Sequence, residues 1–116
     1  HVWISLRREE SGPMEVEGGR NVTTVNIQRV ELAVPNSLEE ALEKHQYLLI
    51  HQLPRSVINR GIRSVLIAPV LYQKSCFGIF YLENSTKHPH YSLMDLDYLI
   101  ILSVYTGVAV QRIRSV

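Results

Sequence analysis

The stretch Ser64–Asn84, SVLIAPVLYQKSCFGIFYLEN, decides how the chain is read. Two apolar runs, Ser64 to Tyr72 and Cys76 to Glu83, flank the polar link Gln73-Lys74-Ser75. Apolar runs of this length, rich in β-branched and aromatic residues, predict two buried strands, and the short link predicts a hairpin. Cys76, the one cysteine in the chain, opens the second run. Its neighbours Ser75, Phe77 and Gly78 supply neither a base nor a positive charge to activate a thiolate, so a structural role is the expectation.

Downstream of this pair, NSTKHPHYS reads as a loop, and Ser92 with Asp95 resembles a helix N-cap. A long helix is expected from about Leu93 to Arg114. Upstream, PRSVINRG from Pro54 to Gly61 reads as a turn or short helical piece, and YLLIHQ as a short strand. Ser37 followed by Glu40 has capping-box spacing, and Leu38, Ala41 and Leu42 give the helical period, so a helix is expected from Asn36 to Lys44 or His45. Asn21–Pro35 is rich in β-branched residues at irregular spacing, and a strand or extended segment is expected there. At the start, His1–Arg8 alternates with Val2, Ile4 and Leu6 on one face. ESGP is a turn, and MEVEGG ends a second strand on Gly18-Gly19. Those two strands pair as a hairpin. Strands outnumber helices and no βαβ rhythm occurs, which predicts an α+β domain built on a mainly antiparallel sheet.

The bulk numbers agree with one ordinary domain: 116 residues, 46% hydrophobic and 20% charged. A formal net charge of +1 gives no electrostatic case for nucleic acid or an anionic membrane. A single cysteine cannot form an internal disulfide, which fits a reducing, cytoplasmic compartment. The longest charge-free run, Tyr98–Gln111, falls short of the roughly 18–20 apolar residues that span a bilayer, so a buried helix is expected instead. The chain opens inside a strand pattern and stops inside a helix pattern. The expectation is a single domain over 1–116, cut at both ends from a longer protein.

The final helix carries more than one apolar stripe. Leu96, Leu99 or Ile100, Ser103, Gly107 and Val110 form one, while Tyr98, Ile101, Leu102, Tyr105, Val108 and Ala109 form most of the rest. A helix lying on a sheet needs only one such stripe. The expectation is therefore a partner helix, from the same chain's missing N-terminal part or from a second subunit. Ser103 and Gly107 would let its backbone approach closely. The alternative is a helix buried wholly in its own core.

GIRSVLIAPVLYQKSCFGIFYLEN followed by YSLMDLDYLIILSVYTGVAVQRI resembles the GAF domain, a sensory module of signalling proteins. The resemblance rests on Ala68-Pro69-Val70, on Gly78 to Asn84, on Tyr91-Ser92, on Asp95, and on the helix to Ile113, in that order and spacing. YLEN at Tyr81–Asn84 is especially like GAF domains of bacterial multidomain kinases and transcription regulators. It implies a PAS-related fold with a six-stranded antiparallel sheet, terminal helices on one face and a small-molecule pocket on the other. The family's first helix is absent here, which matches the helix face left without a partner.

Within that resemblance, Tyr47, His51, Arg63 and Tyr81 are the candidate ligand-binding residues. Leu96, Ile100, Ser103, Gly107 and Val110 are the candidate dimer or helix interface. The cyclic-nucleotide members carry an Asn-Lys, Phe and Asp-Glu signature. This chain offers Asn84, Ser85, Tyr91, Asp95 and Leu96, losing the Lys and Glu, so that activity is not expected. Bilin-attaching members place His after Cys where Phe77 stands, and methionine sulfoxide reductases need more than one thiol. His88-Pro89-His90 fits no helical ligand pair and reads as a solvated loop. Arg55, Arg60 and Arg63 cluster before the fourth strand, as a solvated surface or an anion contact.

No catalytic residue, metal or cofactor is expected. The expected role is regulatory: an unidentified small molecule is sensed, and the terminal helix passes the signal to an output domain such as a kinase or transcription regulator. The rival expectation is a ligand-free dimerisation module of the same fold. A redox role for Cys76 is a distant third. A cavity lined by Tyr47, His51, Arg63 and Tyr81 would separate the first two.

Overall fold

A computed structural model describes residues 2–6, 16–20 and 34–115. Strand β1 (Val2–Leu6) pairs antiparallel with β2 (Val16–Arg20), the expected hairpin partners, with Val2 opposite Arg20 and Leu6 opposite Val16. The strand expected over Asn21–Pro35 lies, up to position 33, outside the described residues. Pro35 itself begins helix α1 (Pro35–Lys44).

The start of α1 corrects the sequence reading. Val34 is the N-cap, no side chain caps the helix, and Pro35 takes the first turn. Proline suits that place because its fixed φ is already helical and the missing N–H would have had no partner. Ser37 therefore lies inside the helix and cannot cap it. The helix ends where His45 turns left-handed at φ 56°, with the Gln46 N–H closing on the Ala41 carbonyl.

Strand β3 (Leu48–Ile50), the short helix α2 (Arg55–Ile58) and the turn at Gly61 (φ +83°) lead into the long pair β4 (Ile62–Tyr72) and β5 (Ser75–Ser85). The hairpin link is one residue shorter than expected. Ser75 pairs with Tyr72, which leaves Gln73 and Lys74 as the turn, with Gln73 at φ 55°. The register then steps, with Leu71 opposite Cys76 and Val70 opposite Gly78, so Phe77 is an extra residue in β5. Gly78 is required next to it, since a Cβ there would overlap the Ser5 carbonyl oxygen of β1.

The five described strands form one antiparallel sheet in the order β2-β1-β5-β4-β3, and helix α3 (Leu93–Ser115) closes the chain. Alternation along β4 and β5 sorts their side chains to two faces. Val65, Ile67, Ile79 and Tyr81 pack under α1 and α2 with Leu38, Ala41 and Val57. Leu66, Ala68, Val70 and Phe80 pack under α3 with Leu99. Burying one such aliphatic or aromatic side chain contributes about 1.5–3 kcal/mol, and the central strands do so on both faces. That two-sided burial is why β4 and β5 read as continuous apolar runs rather than alternating ones.

Helix α3 lies on the sheet through one stripe. Leu99 is 5% exposed, Ser103 is fully buried, and Gly107 is buried against β4. The opposite side is bare: Tyr98, Ile101, Leu102, Val104 and Tyr105 are between 49% and 72% exposed. The helix is thus not buried in its own core. By length and composition alone Leu93–Ile113 is also apolar enough to cross a membrane, a test that the shorter charge-free run did not meet.

Candidate functional site

At one end of the sheet, the start of β4 meets the end of β5, and the loop from β5 to α3 folds back over both. Ser64 and Asn84, partners across the two strands, organise this corner. The Ser64 backbone N–H and hydroxyl both donate to Asn84 Oδ1, at 2.9 and 2.7 Å. Asn84 Nδ2 donates to the Pro89 carbonyl at 2.6 Å, and the Tyr91 N–H donates to the Ser64 hydroxyl at 2.9 Å. His51 Nε2 lies 2.8 Å from the Tyr91 carbonyl, which requires the proton on that nitrogen. Its ring rests against that of His90 with centroids 4.9 Å apart.

One residue later α3 begins with the reciprocal cap that the sequence suggests. The Ser92 N–H and hydroxyl donate to Asp95 Oδ2, at 2.8 and 3.1 Å, and the Asp95 N–H donates back to Ser92 Oγ at 3.2 Å. A carboxylate in the first turn also complements the positive end of the helix dipole.

These elements enclose an open cavity of about 590 Å³. Arg60, Gly61 and Ile62 form one wall and Glu83, Asn84 and Ser85 another. His88, Pro89, His90, Tyr91 and Asp95 form the third. The volume is that of an ordinary small-molecule site. Glu83 is 5% exposed and accepts the Tyr81 hydroxyl at 2.6 Å. Burial, and then the charges of Asp95 and Glu83, push the Tyr91 hydroxyl above its ordinary range, so it stays protonated at neutral pH.

None of the four residues expected to bind a ligand lines this cavity, and they do not come together elsewhere. Tyr81 is fully buried under α1, and its oxygen also accepts the Val34 N–H at 3.2 Å. Tyr47 packs with the opposite cluster, under α3. Arg63 donates through Nη2 to the Thr86 carbonyl at 3.0 Å, while its buried Nε has no partner among the described residues. His51 is exposed and serves the loop. Strand parity separates Tyr81 from Tyr47, and parity across distant strands is not visible in local spacing.

The expected interface stripe is also reassigned. Leu96 packs against the sheet cluster, and Ile100 and Val110 are half-buried beside Ser103 and Gly107. Gly107 does admit a backbone, but it is that of Leu71 in β4. The uncovered stripe is the one holding Tyr98, Ile101, Leu102, Tyr105 and Val108.

Cys76 is fully buried, and its thiol donates to the Gly78 carbonyl at 3.3 Å. His88 and His90, read as an idle loop, line the cavity instead. Among the described residues no three His, Cys, Asp or Glu side chains are grouped to hold a metal. Asn84, Tyr91 and Asp95 surround the cavity in the positions of the cyclic-nucleotide signature. Ser85, where that signature has Lys, lines it as well and leaves the space open. The Ser64–Asn84–Pro89 bonds tie the loop to the two strand ends.

The family model of the GAF domain matches residues 1–110, and the chain belongs to that family. Its fold is similar to the GAF domain of a GAF/HD domain protein from Geobacter sulfurreducens, with a TM-score of 0.65 and 13% identity, covering 99% of this chain and 82% of that one. It is also similar to the GAF domain of an Acinetobacter phosphoenolpyruvate-protein phosphotransferase, with a TM-score of 0.61 and 15% identity over 98% and 72% of the two chains. The GAF-B domain of DevS from Mycobacterium smegmatis gives a TM-score of 0.59 at 12% identity, over 98% and 81%. No curated protein matches the sequence significantly. Members of the family are generally sensory or regulatory modules set in multidomain proteins with output domains.

Proposed function

We propose that this domain is a non-catalytic sensor that binds a small molecule in the cavity beside the start of α3 and signals through that helix. One observation carries the reading: Asp95 is both a wall of the cavity and the residue that closes the cap of α3. A ligand that engages Asp95 differently in two helix arrangements shifts the balance between them, which is the physical requirement for a signal. The output domain is a kinase or transcription regulator in the same cytoplasmic protein. The test is amide hydrogen exchange of the first turn of α3. Protection at Leu96 and Asp97 that changes when a cavity ligand is added supports the reading, and no change with the cavity occupied rejects it.

The bare apolar side of α3 favours a second reading, in which the domain is a dimerisation module and no ligand is needed. A contiguous apolar patch on this scale marks an interaction surface, and a second copy of α3 would cover it. The two readings differ in the protein free of ligand. A dimer unaffected by filling the cavity supports dimerisation alone.

A further inference from the structure

We propose that the cavity takes a small organic cation, an amine with an apolar body, whose ammonium is held by Asp95 Oδ1 and the Tyr91 hydroxyl. This deepens the sensor reading and rests on it. The cap of α3 uses only one oxygen of Asp95: Ser92 donates twice to Oδ2, and no described residue donates to Oδ1. A charged acceptor therefore remains available on the cavity wall without disturbing the helix start. The Tyr91 hydroxyl likewise has no hydrogen-bond partner among the described residues, and an oxygen of that kind accepts readily from an ammonium.

The electrostatics select the sign of the ligand. Asp95 and Glu83 both line the cavity, and after burial, the largest cause, their charges also disfavour the anionic form of the Tyr91 hydroxyl. Burial disfavours a charge of either sign there, and the two carboxylates on the wall supply the part that opposes an anion and favours a cation. The Tyr91 ring adds a surface on which a cation is attracted, and Ile62 and Pro89 give the apolar body a place to lie. Arg60 also lines the cavity and would repel an ammonium, which leaves the carboxylate of Asp95 as its place.

The test uses three fragments with one ring and different charge: phenethylammonium, 3-phenylpropionate and 2-phenylethanol. Backbone amide chemical shifts are followed during titration of the wild-type chain. Phenethylammonium should shift the amides of Tyr91, Ser92 and Asp95 saturably in the millimolar range, at least tenfold more tightly than either of the others. Asp95→Asn keeps an oxygen for Ser92 and should weaken the ammonium at least tenfold, and Tyr91→Phe, which keeps the ring, should weaken it several-fold. Tighter binding of the propionate, or equal affinity in Asp95→Asn, overturns the cation assignment and leaves the small-molecule reading standing. If no fragment shifts any cavity amide, both the cation assignment and the cavity as a ligand site are overturned.

Discussion

Gly107 of α3 faces the backbone of Leu71 in β4 so closely that a Cβ at position 107 would overlap the Leu71 carbonyl oxygen. With Ser103 fully buried one turn earlier, this contact sets how near the helix lies to the sheet and which of its apolar sides is left bare. Gly107→Ala must push α3 outward. The overlap costs about 1–3 kcal/mol, against about 1 kcal/mol gained from the better helix former. A net loss of stability is expected, seen as a melting temperature several degrees lower, while Ala109→Gly on the exposed side should lose no more than the helix propensity.

The corner bond network makes a second prediction. Ser64→Ala removes a donor to Asn84 and the acceptor of the Tyr91 N–H, both in a half-buried setting. The expected cost is about 1–3 kcal/mol, and amide exchange at Tyr91 should accelerate more than exchange in β3. Unchanged exchange at Tyr91 would mean that the serine does not hold the loop.

On the bare side of α3, Leu102→Glu and Tyr105→Glu place charges where solvent already reaches. Where the wild type is monomeric, denaturation midpoints should stay close to wild type, since no packed contact within the chain is lost; where it is a dimer, losing the partner should lower them. Sedimentation should show any wild-type dimer reduced to monomer by either change. A dimer that survives both substitutions is held by another surface.

The raised ionisation of Tyr91 gives a pH dependence with a definite sign. Its folded-state value lies above the ordinary tyrosine value of 10.0, so the folded chain holds the proton more tightly than the unfolded one. The stabilisation is complete below pH 10.0 and is lost as pH rises through the folded value. Stability measured from pH 9 upward should therefore fall less steeply in Tyr91→Phe than in wild type. Parallel curves would show that burial and the two carboxylates together do not raise the ionisation of the hydroxyl.

Much of the fold was legible because the strongest signals are local. The runs around Gln73-Lys74 could only be buried strands, and Ser92 with Asp95 marked the start of α3 to the residue. Ser37 misled because capping spacing also occurs inside a helix, and Pro35 two residues earlier was the stronger start signal. The candidate site was legible only in pieces. Asn84, Tyr91 and Asp95 stood out as positions of the family signature, yet the cavity they share with Arg60 and Glu83 depends on how two strand ends and a returning loop meet. Tyr47 and Tyr81 were grouped on residue type, and the sheet places them on opposite faces. The apolar stripes of α3 were both visible, but spacing alone could not say which would meet the sheet. The Leu71 backbone decides that.

The most direct test of the sensor account is native mass spectrometry of the purified wild type and of Ser85→Trp, each before and after denaturation. Ser85 lines the cavity, and an indole there would intrude into it and obstruct a ligand. The account predicts a wild-type mass excess that disappears on denaturation and is absent from Ser85→Trp, with both chains folded. A wild type at its bare mass, or an adduct that Ser85→Trp retains, would contradict it.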